Sequence, residues 1–66
     1  MKAYKTSGNY TAYQHPRAGL MVQSTRKAGG VRLPPEHPQY GEFVEAFETA
    51  IDADEADALC RALLTA

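Results

Sequence analysis

The sequence predicts an α+β domain, in which an N-terminal three- to four-stranded antiparallel β-meander is covered by two C-terminal α-helices. Glycine and proline pairs divide residues 1–35 into short segments, which is typical of strands joined by tight turns. Apolar residues between 38 and 65 instead recur at helical spacing. Since 66 residues make a single small domain, the helices are expected to cover one face of the sheet.

The first two strands are predicted at residues 2–7 and 10–15. Gly8-Asn9 separates them and readily takes the positive φ values that a two-residue hairpin requires. Residues 16–19 contain a proline and a glycine placed for a second tight turn.

The third strand is predicted at residues 20–28, and Gly29-Gly30 then reverses the chain into a short fourth strand at 31–33. Pro34 and Pro35 end the ladder because neither residue has a backbone N–H group to donate.

Two helices are predicted near residues 39–51 and 53–65. The motif Asp52-Ala53-Asp54-Glu55 resembles a capping box, which begins a new helix. The apolar register does not continue across this motif, so the two helices are expected to meet at a corner. The predicted core combines Leu20, Val22 and Val31 or Leu33 with the helical residues Phe43, Val44, Phe47, Ile51, Leu59, Leu63 and Leu64.

Charge divides the chain at the same place as the periodicity. All eight acidic residues lie at 36–57, whereas six of the seven basic residues lie at 1–35, so the halves carry +6 and −7 although the net charge is −1. A surface of one sign attracts macromolecules of the other sign before contact. The acids of the two helices are the candidate partner-binding residues: Glu42, Glu45, Glu48, Asp52, Asp54, Glu55 and Asp57.

Two interpretations of this acidic run remain open. Acids on an exposed helix face are common, and in a first turn they interact favourably with the helix dipole. Alternatively, a row of spaced carboxylates imitates phosphates and occupies a basic nucleic-acid-binding groove on another protein.

The basic half supports a different hypothesis, direct nucleic-acid binding by the sheet. Cations beside exposed aromatic rings can bind phosphates and stack on bases. Strand alternation puts Tyr10 and Tyr13 on opposite faces, however, so the tyrosines cannot form one platform. The candidate nucleic-acid-binding residues are Arg17, Arg26, Lys27 and Arg32.

No catalytic motif is visible, and the protein is expected to be non-enzymatic, without a cofactor or a metal ion. The single Cys60 lies in an apolar stripe and is expected to be a buried, unreactive thiol in a reducing, cytoplasmic compartment. His15 and His37 precede prolines and are interpreted as turn residues. Neither a secretory signal nor a membrane span is predicted, and the protein is expected to be a monomer or a homodimer.

In outline the chain resembles the small phage-encoded inhibitors of bacterial defence, the anti-CRISPR proteins. The resemblance covers its length, its single domain, the lack of catalytic motifs and the acidic run between Glu36 and Asp57. Some members of that group are similar to DNA in their charge display and block the DNA-binding groove of a Cas complex. The resemblance therefore implies a partner with a basic nucleic-acid-binding surface, although the net charge of −1 departs from the strongest mimics.

Overall fold

The computed structural model describes residues 1–65 and has the predicted α+β architecture. The four strands form one antiparallel sheet in the order β1-β2-β3-β4, followed by two helices. The elements are β1 (Lys2–Tyr4), β2 (Tyr10–His15), β3 (Gly19–Ser24), β4 (Gly30–Leu33), α1 (Tyr40–Thr49) and α2 (Ala53–Thr65). No helix within the described residues is long and apolar enough to span a lipid bilayer.

The connection between β1 and β2 is longer than the two-residue hairpin predicted at Gly8-Asn9. Tyr4 lies opposite Ala12, so residues 5–9 all stand outside the two strands. Ser7 does not continue the ladder because its backbone N–H and its hydroxyl donate to the carboxylate of Asp57 in α2. A shift of one residue in register exchanges the two faces of a strand, so this loop determines which β1 side chains face the helices.

The predicted turn between β2 and β3 is confirmed. Nδ1 of His15 accepts from the backbone N–H groups of Arg17 and Ala18, each at 3.2 Å, which confirms the interpretation of this histidine as a turn residue. Gly19 follows at φ +98°, and a Cβ atom there would lie 2.2 Å from the carbonyl oxygen of Leu33. Glycine is therefore required at this position both for its conformation and for its lack of a side chain.

The core lies between the sheet and the helices. Alternate residues of the sheet point towards the helices, and both apolar helical stripes face them. The Tyr4 ring stacks on the Phe47 ring with centroids 5.0 Å apart. The buried apolar residues are Ala12, Leu20, Val22, Leu33, Phe47, Ala56, Cys60 and Leu63.

The sequence predicted Ile51 in the core, and this prediction is wrong. Its side chain is 85% exposed. Helix α1 ends at Thr49, and Ile51 lies in the link to α2. There its backbone N–H donates to Glu55, while the carboxylate of Asp52 accepts from the N–H of Glu55 at 3.0 Å. The predicted cap at Asp52 is thus present and begins α2, but Glu55 accepts from the N–H of Ile51 instead of that of Asp52, the usual donor in a capping box.

The second face of the sheet is exposed. Thr11, Gln23 and Arg32 point away from the buried positions of their strands and are accessible to solvent. Arg32 is the basic side chain on this face, whereas Lys5, Arg17, Arg26 and Lys27 lie in the strand connections. Among residues 1–65, one ion pair joins the sheet to the helices, between Lys2 and Glu48.

Candidate partner-binding face

Four of the candidate acids are exposed on the two helices, and the surface they occupy is here called the acidic face. Glu42 and Glu45 lie on α1, and Asp54 and Glu55 lie in the first turn of α2. None of the four forms an ion pair with another residue in the described part of the chain, although the carboxylate of Glu55 accepts from the backbone N–H of Ile51 at 2.9 Å. All four are exposed and therefore able to bind cations of another molecule.

Glu48 lies apart from the acidic face, at the edge of the sheet. Its carboxylate accepts from Nζ of Lys2 and, at 3.2 Å, from the hydroxyl of Tyr4. The hydrogen bond from Lys2, together with its charge, lowers the pKa of Glu48. Burial of the Tyr4 phenol, with the nearby negative charge of Glu48, raises the pKa of Tyr4 to about 12. Glu48 thus fastens α1 to β1 and presents little free charge.

Asp52 and Asp57 have structural contacts as well. Asp52 is exposed, but its carboxylate caps α2. Asp57 is only 6% exposed, and its carboxylate accepts from the N–H of Ser7 at 3.2 Å and from the Ser7 hydroxyl. The prediction of Asp57 as a surface residue for partner binding is therefore corrected, because its carboxylate is turned inward to hold the β1–β2 loop.

An apolar groove runs between the two helices beside the acidic face. Its floor is formed by Phe43, Ala46 and Leu59, in two adjoining depressions of about 390 and 200 Å³. Glu42 and Glu55 stand at its edges. Phe43 and Leu59 are half-buried and pack against the core, so they are held in place from below. We call this feature the interhelical groove.

Together, the groove and the acids have the composition of a protein-docking surface. An apolar side chain of a partner can enter the groove while neighbouring arginine or lysine side chains reach the carboxylates at its edges. Apolar contact in the centre with polar groups around it is the usual arrangement of protein interfaces.

The interhelical groove was not predicted from the sequence, which put Phe43 and Leu59 in the core. Both residues belong to apolar stripes, but they lie at the margins of those stripes. The sequence did contain one indication of the groove. Ala46 lies beside Phe43 on α1, and its small side chain leaves space next to the apolar stripe.

The basic candidate residues do not form one patch. Arg17 lies in the β2–β3 turn, while Arg26 and Lys27 lie in the loop between β3 and β4, at the opposite end of the sheet. Arg32 lies on the exposed face, where its guanidinium donates to the carbonyl of Ala18 at 3.0 Å.

Of the three strand tyrosines, Tyr13 alone lies on the exposed face of the sheet. Tyr13 is opposite Met21, and Met21 is opposite Arg32, which gives one row across three strands. Tyr4 and Tyr10 pack against the core. The prediction that Tyr10 and Tyr13 lie on opposite faces is confirmed.

Residues that could support metal or thiol chemistry are not arranged for it. Within residues 1–65, no group of three histidine, cysteine or acidic side chains could hold a metal ion. Burial, with the negative charge of Asp57 nearby, raises the pKa of Cys60 to about 11. The burial of Cys60 expected from the sequence is confirmed.

No family model, no curated protein and no solved structure matches this chain. Function is therefore inferred from the geometry and charge of its own residues.

Proposed function

We propose that this protein is a non-enzymatic binding protein whose acidic face docks on a basic surface of a protein partner. The observation that carries this proposal is a set of four exposed carboxylates, Glu42, Glu45, Asp54 and Glu55, on two helices that share a shallow apolar groove lined by Glu42 and Glu55. Exposed apolar surface flanked by carboxylates favours a protein interface.

The basic surface of the partner is proposed to be one that otherwise binds nucleic acid. Carboxylates then take the place of phosphates, and the partner loses its access to DNA or RNA. The protein would act as an inhibitor of the anti-CRISPR type in the cytoplasm of a bacterial host, with a Cas complex as its target. Because Glu48, Asp52 and Asp57 are engaged within the fold, the mimicry depends on fewer charges than the sequence predicts, supplemented by contact in the groove.

The test is inhibition of target-DNA binding by a panel of purified, guide-loaded Cas complexes, measured by band shift. We expect one of them to lose DNA binding as this protein is added. The triple variant Glu42→Lys, Glu45→Lys and Asp54→Lys should abolish the inhibition while the fold is retained, since all three side chains are exposed. Glu55 is left unchanged because it supports the start of α2.

The control is Glu36→Lys, which makes the same kind of charge change at an exposed loop position outside the acidic face. It should inhibit like the original protein. Inhibition of none of the complexes would exclude the Cas target. Equal loss of inhibition in Glu36→Lys would show that overall charge, and not the acidic face, is responsible.

A second candidate function, nucleic-acid binding by the exposed sheet face, is favoured by one observation. The row of Tyr13, Met21 and Arg32 combines an aromatic ring and a cation, and no acid occurs on any strand. This function predicts a direct band shift with single-stranded DNA or RNA. Arg17→Glu with Arg32→Glu should abolish that shift, and the triple acidic variant should leave it intact.

A further inference from the structure

A separate groove opens at the end of the domain where the β3–β4 loop meets the C-terminal half of α2. It is open on one side and has a volume of about 490 Å³, which is within the usual range of small-molecule sites. We call it the loop groove. The residues that give it its chemistry are Tyr10, Ser24, Lys27, Val31, Arg61 and Leu64.

The loop groove contains two cations and no acid. Lys27 comes from the loop, and Arg61 comes from α2 on the other side. Neither forms an ion pair with another residue between 1 and 65. Asp57, one turn before Arg61, is bound to Ser7 instead. Two unpaired cations on opposite walls make this groove suitable for an anion.

Further polar groups stand near the two cations. Ser24 accepts from the N–H of Arg26 at 3.2 Å, which leaves its own hydroxyl hydrogen able to donate. Gly29 also lines the groove, and because no atom lies within 4 Å of where its Cβ would be, a ligand can approach its backbone closely. Serine hydroxyls and exposed backbone are common partners of phosphate oxygens.

The remaining lining is apolar and aromatic. Val31 and Leu64 are half-buried, and the Tyr10 ring packs against the same part of the core. A free inorganic ion would leave these side chains uncovered. A ligand that carries a flat ring beside its anionic group would cover them and release the water above them.

One feature opposes anion binding, namely the C-terminal end of α2, where the helix dipole is negative. One contact reduces this effect, because the hydroxyl of Thr65 donates to the carbonyl of Arg61 at 2.8 Å. The last turn itself holds no basic residue. The two unit charges of Lys27 and Arg61 nevertheless exceed the partial charge of about −0.5 at a helix C-terminus.

We propose that the loop groove binds a phosphorylated small molecule with a planar ring, of which a mononucleotide is the simplest example. Lys27 and Arg61 hold the phosphate, and Val31, Leu64 and Tyr10 contact the ring. This site lies outside the acidic face and does not depend on the function proposed above.

The test is titration of isotope-labelled protein with adenosine monophosphate, followed by amide chemical shifts. We expect the shifts to concentrate at Gly29, Gly30 and the last turns of α2. Adenosine and inorganic phosphate, titrated separately, should each bind at least about tenfold more weakly, because each keeps only part of the contacts. Equal binding of inorganic phosphate, or no binding of the nucleotide, would overturn the proposal.

The matched pair of variants is Lys27→Ala and Arg26→Ala. The two residues are adjacent, exposed and equal in charge, but Lys27 alone lines the groove. We expect Lys27→Ala to weaken nucleotide binding about tenfold and Arg26→Ala to leave it nearly unchanged. Arg61→Ala should act like Lys27→Ala. Equal weakening by Arg26→Ala would show non-specific attraction to the loop and would also overturn the proposal.

Discussion

Asp54 and Asp57 are the same residue type on the same helix, yet they have opposite environments. Asp54 is exposed on the acidic face, while Asp57 is buried against the β1–β2 loop. Sequence reasoning assigned both to the surface, because an acid is seldom buried without a partner. The partner of Asp57 is Ser7, fifty positions away, and no local pattern indicates that pairing.

We expect Asp57→Ala to lower the free energy of unfolding by about 2–3 kcal/mol, because it removes a charged acceptor and leaves the Ser7 donors unpaired. Asp54→Ala, three positions away, should change it by less than about 0.5 kcal/mol. Urea unfolding of both variants checks this. Similar stabilities for the two variants would show that the contact with Ser7 contributes little.

Cys60 links stability to pH. Its folded-state pKa is raised from 9.0 to about 11, so its contribution to stability is complete below pH 9.0 and is lost as the pH rises through about 11. Urea unfolding between those pH values should show the original protein losing more stability than Cys60→Ala. Tyr4 also titrates at high pH, but it does so in both proteins.

The same raised pKa keeps the native thiol unreactive at neutral pH, because the nucleophile is the thiolate. Thiol reagents should label the folded protein slowly and the unfolded protein fast. Rapid labelling of the folded protein would contradict the burial of Cys60.

At the scale of the elements, helical periodicity predicted α1 and α2 well and failed where they join. Ile51 continues the apolar spacing of Phe47 in sequence. The cap of α2, however, requires the N–H of Ile51 for Glu55, so the chain leaves the helix before this residue. Both the apolar spacing and the capping motif were visible in the sequence. Only the structure shows that the chain forms the cap of α2 and does not extend α1 to Ile51.

The consequence is a contrast between two large apolar residues four positions apart. Phe47→Ala should cost about 3–5 kcal/mol, because it removes a buried ring that stacks on Tyr4. A domain of this size holds only about 3–10 kcal/mol in total, so the variant will be near unfolding. Ile51→Ser should leave the thermal transition nearly unchanged. A marked loss in Ile51→Ser would place this side chain in the core after all.

The strand connections were predicted correctly where neighbouring residues determine them, and incorrectly where a long-range contact does. The turn at residues 16–18 follows from its own chemistry and was predicted. The β1–β2 loop was predicted too short, because the contact between Ser7 and Asp57 joins elements far apart in sequence.

At the scale of the molecule, the location of the acids on the helices followed from the sequence once sheet and helices were assigned to its two halves, whereas the basic residues lie mostly in loops. What could not be predicted is which acids remain free. The fold engages Glu48, Asp52 and Asp57, and it opens the interhelical groove between two stripes that each looked fully buried.

If the acidic face mediates binding, the association rate should fall with salt, because charges are screened beyond about 10 Å at 0.1 M ionic strength. The dissociation rate should change less, since the groove contributes apolar contact. Stopped-flow measurements at several salt concentrations separate the two rates. A salt-independent association rate would indicate that the acidic face does not guide the encounter.

The unequal distribution of charge also affects how this nearly neutral molecule behaves on a charged surface. Its net charge of −1 suggests weak binding to any ion-exchange resin. With acids exposed on the helices and basic side chains exposed in the strand connections, the protein should nevertheless be retained at low salt by cation and anion exchangers alike. It would bind the two resins through different parts of its surface.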